Sequence, residues 1–392
     1  MNIWMIASLW IGLALIAAML SIGSGISVAL VEIGIGVLAG NFLHLTPNDW
    51  VNFLAGVGSV LLTFLAGAEI DPDALRANLK ESLLIGFSSF LAPALGAFAI
   101  AFWIFKWNLH GAEIAGIALS TTSVAVVYAV MIESGLNETE LGKVILASCF
   151  VTDLGTVVAL GLIFANYNRW LLLFAVLMAV ILWKLPVFTG WYFRKVGNRV
   201  SEPEVKFILF LLFVLGGLAT AARSEAVLPA YLIGLVMARQ FLRNRTLMHR
   251  MRAIAFSILT PFYFIKAGSY VSFKALVAGL GLIAGFFLLK MITKVCGVLP
   301  FTLTFGFGKQ RGIYTTLLMA TGLTFGSISA LFGLSHGYIN QSQYTILVTV
   351  VILSAVVPTL IAERFFRPEI ESEAAKGQQP VVSSAGSLET EA

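Results

Sequence analysis

Thirteen apolar runs of membrane-crossing length follow one another along almost the whole chain, near residues 4–20, 27–44, 50–70, 82–105, 111–132, 141–165, 170–190, 206–222, 226–241, 253–272, 275–299, 311–334 and 343–362. Runs able to cover about 30 Å of hydrocarbon read as transmembrane helices. Hydrophobic residues make up 59% of the 392 and charged residues 11%, against about 25% charged in a typical soluble domain. The expected fold is an all-α polytopic membrane protein. Residues 1–368 form the membrane domain, and the Gly-, Ser-, Gln- and Glu-rich segment 369–392 is expected to be a disordered cytoplasmic tail.

The net charge of +5 could suggest nucleic acid as a partner, but the basic residues are distributed by loop and form no binding stripe. With the N-terminus outside, seventeen Lys and Arg fall in the inner loops and C-terminus, including Arg194, Lys195, Arg199 and Lys206 in one loop and Arg239, Arg243, Arg245, Arg250 and Arg252 in another. Four fall outside, at Lys106, Arg169, Arg223 and Lys274. This positive-inside asymmetry supports an odd number of helices and a cytoplasmic C-terminus. The short loops and compact length fit a bacterial inner (plasma) membrane. Lys184, Lys266, Lys290 and Lys294 remain inside the spans.

Cys149 and Cys296 lie in apolar helices, where each reads as small hydrophobic filler. No redox chemistry and no cofactor are expected. The first run has no basic n-region and no small-residue cleavage pattern after it, so it reads as a retained helix.

The most interrupted spans are the fifth, tenth and twelfth. The fifth carries Ser120-Thr121-Thr122-Ser123 at mid-depth, and the twelfth carries the Gly/Thr-rich run 320–327 at a comparable depth. Hydroxyls can hydrogen-bond the backbone groups that an unwound helix frees, so both spans read as broken helices. Segments four to six and eleven to thirteen are seven helices apart and enter the membrane from opposite sides. An interrupted helix in the middle of each triplet is the pattern of an inverted repeat with two discontinuous helices crossing near the midplane.

Such a crossing gathers half-helix ends that need countercharges. Asp153 sits in the middle of the run 141–165, and a carboxylate there costs roughly 2.5–3.5 kcal/mol even on lenient insertion scales. Lys294, fifteen residues before Lys309 of an inner loop, lies about 22 Å along its helix from that loop. One reading makes the two neutralise helix dipoles or each other. The other makes Asp153 an ion and proton site, with Thr152 before it, Thr156 a turn on, and Thr121, Thr122 and Ser123 completing a shell of hard oxygens for a monovalent cation.

Other intramembrane polar residues carry less. Glu32 fits a protonated structural carboxyl as well as a functional one. Lys266, after Pro261 in the tenth span, either reaches the cavity or snorkels outward. Lys184 and Lys290 are expected to snorkel or pair locally. Glu69 and Asp71 read as a solvated helix end, and His336 as an outer-loop residue without a role.

Together these pieces resemble the monovalent cation:proton antiporters, in the branch holding bacterial sodium/proton antiporters and glutathione-gated potassium efflux systems. The likeness runs over about residues 5–365. It is carried by Thr121-Thr122-Ser123-Val124, Phe150-Val151-Thr152-Asp153, Thr293-Lys294-Val295 and Val31-Glu32-Ile33-Gly34 with Gly36-Val37-Leu38-Ala39-Gly40. The resemblance implies a homodimer and an elevator-type core bundle, approximately 82–165 and 253–363, with dimerisation helices around it. It also implies that Asp153 binds cation and proton alternately. In electrogenic relatives the residue before this carboxylate is a second Asp, paired to the lysine matching Lys294. Here that residue is Thr152, so one carboxylate is missing and the exchange is expected to be electroneutral. The same departure leaves Na+, K+ and Li+ open as substrates. The potassium branch carries a nucleotide-binding regulatory domain after its last helix, for which this tail is too short.

The expected function is therefore antiport of Na+ or K+ against H+. A sodium-coupled symporter of an organic solute is the second reading, although small hydroxyls make a poor solute vestibule. A channel or a non-transporting sensor is the third. No nucleophile-base pair, metal-ligand cluster or phosphate loop suggests an enzyme.

Overall fold

A computed structural model describes residues 2–24, 26–136, 139–165, 169–197, 199–221 and 226–368. The tail expected to be disordered, 369–392, and Arg223 of the outer basic set lie outside the described residues. The described residues are helical, with no strand among them. In chain order the first helices are α1 (Ile3–Ser24), α2 (Val28–Phe42), α3 (Asp49–Ala68), α4 (Pro72–Ala77), α5 (Leu79–Ala99) and α6 (Leu109–Ser120). Then come α7 (Val124–Ser134), α8 (Glu140–Ile163), α9 (Arg169–Val196), α10 (Pro203–Ala221), α11 (Val227–Arg243) and α12 (Arg245–Ile254). The last are α13 (Thr260–Ser269), α14 (Phe273–Ala278), α15 (Leu280–Thr304), α16 (Gly308–Met319), α17 (Thr324–Ser335) and α18 (Gln341–Ile361).

Ten stretches among the described residues are long and apolar enough to cross a membrane, two of them helix pairs. The other three predicted runs fall on the shorter α2, on α11 and on α13. Helix starts carry the expected polar caps. Asn48, Asn108 and Thr139 accept from the backbone of Val51, Gly111 and Gly142, and Asn340 forms a capping box with Gln343. Each cap satisfies an N–H that the first turn leaves unpaired.

Two bundles form, and glycines set their closest approaches. In the first, α1, α2, α3, α11 and α13 pack together. A Cβ at Gly36 would run into the carbonyl of Ile265, one at Gly67 into that of Tyr231, and one at Gly234 into that of Phe64. Small residues are what allow helix backbones to touch in this way. The second bundle joins α5, α6, α8 and α15–α18, with Gly86 against the Ser148 carbonyl and Gly297 against Ser88. The bundles meet where α8 lies along α11.

The three predicted interruptions have two causes. The fifth and twelfth spans are unwound at 121–123 and 320–323, between α6 and α7 and between α16 and α17. The tenth stays helical but contains a π-helical turn, Ala255–Leu259, followed at once by Pro261 at the start of α13. A π-turn beside a proline kinks a helix without unwinding it.

Candidate functional site

The two unwound stretches meet. Ser123 N–H donates to the Thr321 carbonyl at 3.1 Å, and the Thr122 hydroxyl donates to the Met319 carbonyl at 2.8 Å. Each break therefore satisfies backbone groups of the other, as dry surroundings demand. Thr121 donates to the Ala118 carbonyl at 3.1 Å, and its hydroxyl lies beside Gly322 of the second break and Gly326 of α17. Ser123 also caps α7, its hydroxyl accepting from Val126 N–H at 3.4 Å.

Lys294 enters the crossing from α15. Its Nζ donates to Ser89 Oγ at 2.8 Å, to the Ser120 carbonyl at 2.9 Å and to Thr122 Oγ1 at 3.1 Å. The ammonium spends its three N–H groups on three acceptors, one of them the last carbonyl of α6. A cation there meets the negative end of the half-helix dipole.

Asp153 lies on α8, 2% exposed. Lys294, Cys149 and Tyr231 are within electrostatic range of it. Lys294 forms no ion pair with it among the described residues, since the ammonium is turned to Ser89, Ser120 and Thr122. Asp153 Oδ1 has no hydrogen-bond partner. Most buried polar atoms are paired, so an unpaired carboxylate oxygen in the interior calls for an explanation. Nearby, Tyr231 donates its hydroxyl to the Phe150 carbonyl at 3.1 Å.

The remaining predicted residues divide. Thr152 donates to the carbonyls of Gly86 at 3.0 Å and Ser148 at 3.1 Å, fastening α8 to α5. Adjacent residues on a helix point about 100° apart, so its hydroxyl does not share the direction of the Asp153 side chain. Thr156 donates to the Thr152 carbonyl at 3.0 Å. Glu32 and Lys266 lie on α2 and α13, which pack on each other, and neither hydrogen-bonds to the crossing. Glu32 Oε2 is buried and unpaired.

Of the two expectations for Lys290, snorkelling and pairing, the first fails. The residue is 1% exposed and donates to Ser354 Oγ at 2.9 Å. A Cβ at Gly322 would sit 2.5 Å from its Nζ, which places Lys290 at the second break. The signal for this was present in the sequence, because Lys290 and Lys294 are four apart and so share one face of a helix. Lys184 behaves as expected, with Nζ 3.9 Å from the Trp183 ring centre on the outer face of α9.

A cavity of about 430 Å³ opens between the bundles, lined by Glu69, Asp71, Lys143 and Arg252, with Phe150 three residues before Asp153. Glu69 and Arg252 pair at 2.8 Å on its wall. Glu69 and Asp71 thus lie at the end of α3 on an open cavity, the place expected from the sequence.

Residues 10–367 match the family described as sodium/hydrogen exchanger, transmembrane. A protein of Methanocaldococcus jannaschii named "Probable Na(+)/H(+) antiporter 3" is 21% identical over 364 residues, 87% of this chain and 89% of its own. The Na(+)/H(+)-K(+) antiporter GerN of Bacillus cereus is 22% identical over 345 residues, 84% of this chain and 87% of its own. Among solved structures, the sodium proton antiporter MjNhaP1 of M. jannaschii superposes with a TM-score of 0.71 at 15% identity, over 94% of this chain and 100% of its own. The match over nearly the whole membrane domain makes this chain a member of the sodium/hydrogen exchanger transmembrane family.

Proposed function

We propose that the protein is a secondary antiporter that exchanges a monovalent cation, Na+ or K+ and by extension Li+, for H+. The observation that carries this reading is the unpaired oxygen of a buried carboxylate, Asp153 Oδ1, set near the crossing of two broken helices. In that setting the carboxylate binds either a proton or a cation, and one competes with the other. Hydroxyl and carbonyl oxygens of the breaks can replace part of a cation's hydration shell, as backbone oxygens do in selectivity filters. The relatives' names support Na+ and, through GerN, K+.

A single carboxylate handles one charge in each direction, so the exchange is one for one and electroneutral, with Thr152 in place of a second acid. The moving unit is the bundle of α5–α8 with α15–α18, narrower than the range 253–363 because α13 packs on α2 and α3. It alternates past the first bundle in an inner (plasma) membrane, in a homodimer with its C-terminus in the cytoplasm.

The test is reconstitution in liposomes with an internal pH dye and an imposed proton gradient, followed by addition of Na+, K+ or Li+. Cation-driven proton movement that disappears in Asp153→Asn and ignores a clamped potential is the expected result. Absence of a response to every cation in the wild type rejects antiport.

A further inference from the structure

The crossing contains two buried lysines, and the exchange reading above assigns a task to neither. Both come from α15, one turn apart and in electrostatic contact with each other. Lys294 ties α15 to α5 and to the first break, through Ser89 and through Ser120 and Thr122. Lys290 faces the other side, with one hydrogen bond to α18 and its ammonium group against the second break. Its Nζ donates to Ser354 of α18 at 2.9 Å, and Ser354 passes its own hydrogen to the Val351 carbonyl at 2.8 Å, leaving lone pairs free to accept. Gly322 of the second break is pressed against the same ammonium. A Cβ there would lie 2.5 Å from Lys290 Nζ, 2.9 Å from Thr121 Oγ1 and 3.2 Å from Ser354 Oγ.

An amine buried in a membrane helix is costly and needs a reason to be kept. Packing alone does not supply one, since methionine would fill the same volume with no polar atom. We propose that Lys290 is a positioning residue of the exchange: an amine tethered to Ser354 of α18 whose Nζ abuts Gly322 and so fixes where the second broken helix lies, while Lys294 fixes the first by direct hydrogen bonds. One rigid helix thereby sets both breaks in register beside Asp153. Thr121 touches both arrangements, since its hydroxyl belongs to the first break and faces Gly322 of the second and Gly326 of the helix that follows it. A shift of the second break therefore reaches the ion site through Thr121 and through the Thr122–Met319 bond.

This inference rests on the exchange reading, and the experiment separates the two. Full-length wild type, Lys290→Met, Lys290→Arg, Ser354→Ala and Asp153→Asn are reconstituted, and the cation KM and maximal rate of proton exchange are measured across pH. Lys290→Met is expected to raise KM roughly tenfold, as misplaced binding groups do. Lys290→Arg should recover most of that loss, and Ser354→Ala should show a smaller loss in the same direction. A packing role predicts the reverse order, with Met close to wild type and the larger Arg worse, and that result overturns the proposal. Should Lys290→Met fail to fold, Ser354→Ala decides: wild-type KM in that variant also overturns it. Exchange that survives in Asp153→Asn rejects Asp153 as the carrier and is scored apart from the Lys290 series.

Discussion

Lys294 Nζ lies 2.9 Å from the carbonyl oxygen of Ser120, so the basic group of α15 closes the end of a half-helix on α6 instead of pairing with the nearest acid. Asp153 is left with an unpaired oxygen as a result. The division of labour is electrostatic: one buried charge serves the backbone and the other stays open to exchange.

Asp153→Asn is the sharpest consequence. The amide keeps the shape of the side chain but cannot alternate between protonated and cation-bound forms. Exchange should fall to background while the purified protein elutes as wild type on size exclusion. Residual cation-dependent proton flux in liposomes would place the carrier elsewhere.

Lys294→Met removes three hydrogen bonds together and leaves the Ser120 carbonyl buried without a partner. An unsatisfied buried group costs about 1–3 kcal/mol. The melting temperature in detergent should drop clearly, and by more than for Lys184→Met on the outer face of α9.

Gly322→Ala introduces a methyl group where Lys290, Thr121 and Ser354 converge. Transport should fall roughly tenfold or more, because small displacements of binding groups are expensive. Gly281→Ala is the control, as nothing lies within 4 Å of a Cβ there. Equal rates in the two variants would remove the second break from the ion site.

Thr152→Asp tests the stoichiometry. The Thr152 hydroxyl reaches Gly86, and Ser89, an acceptor of Lys294, is three residues further along α5. A carboxylate at position 152 would supply the second acid that the family resemblance pairs with the lysine matching Lys294. Exchange should then respond to a clamped membrane potential, whereas the wild type should not. Flux measured with and without the clamp distinguishes the two.

Much of this arrangement was legible in the residues. The hydroxyl run 120–123 and the Gly/Thr run 320–327 read as breaks because such residues can satisfy freed backbone, and both unwind. Asp153 stood out through its cost in hydrocarbon. Lys290, weighed as a lone lysine, reads equally as snorkelling or paired; that it pairs at the second break follows only from the four-residue spacing to Lys294 and from a glycine far along the chain. Thr152 was grouped with Asp153 by adjacency, but neighbours on a helix diverge and its hydroxyl went to α5. The tenth span reads as interrupted but is not among the breaks, and a π-turn and a proline bend it while keeping most of its hydrogen bonds.

The glycine contacts of the two bundles imply different frictions. Gly67 and Gly234 press backbone on backbone between α3 and α11, as Gly86 does between α5 and α8, and such contacts act as detents that admit no sliding. Between the bundles, the nearest neighbour of Gly161 of α8 is the side chain of Leu228 on α11, with its Cδ2 3.0 Å from where a Cβ would be. A leucine side chain can change rotamer and let its neighbour pass. The seam between α8 and α11 is therefore the softer of the contacts described, held by one leucine side chain at Gly161 and by the Tyr231–Phe150 hydrogen bond, and under the exchange reading proposed above it is where the carboxylate-bearing bundle would have to yield.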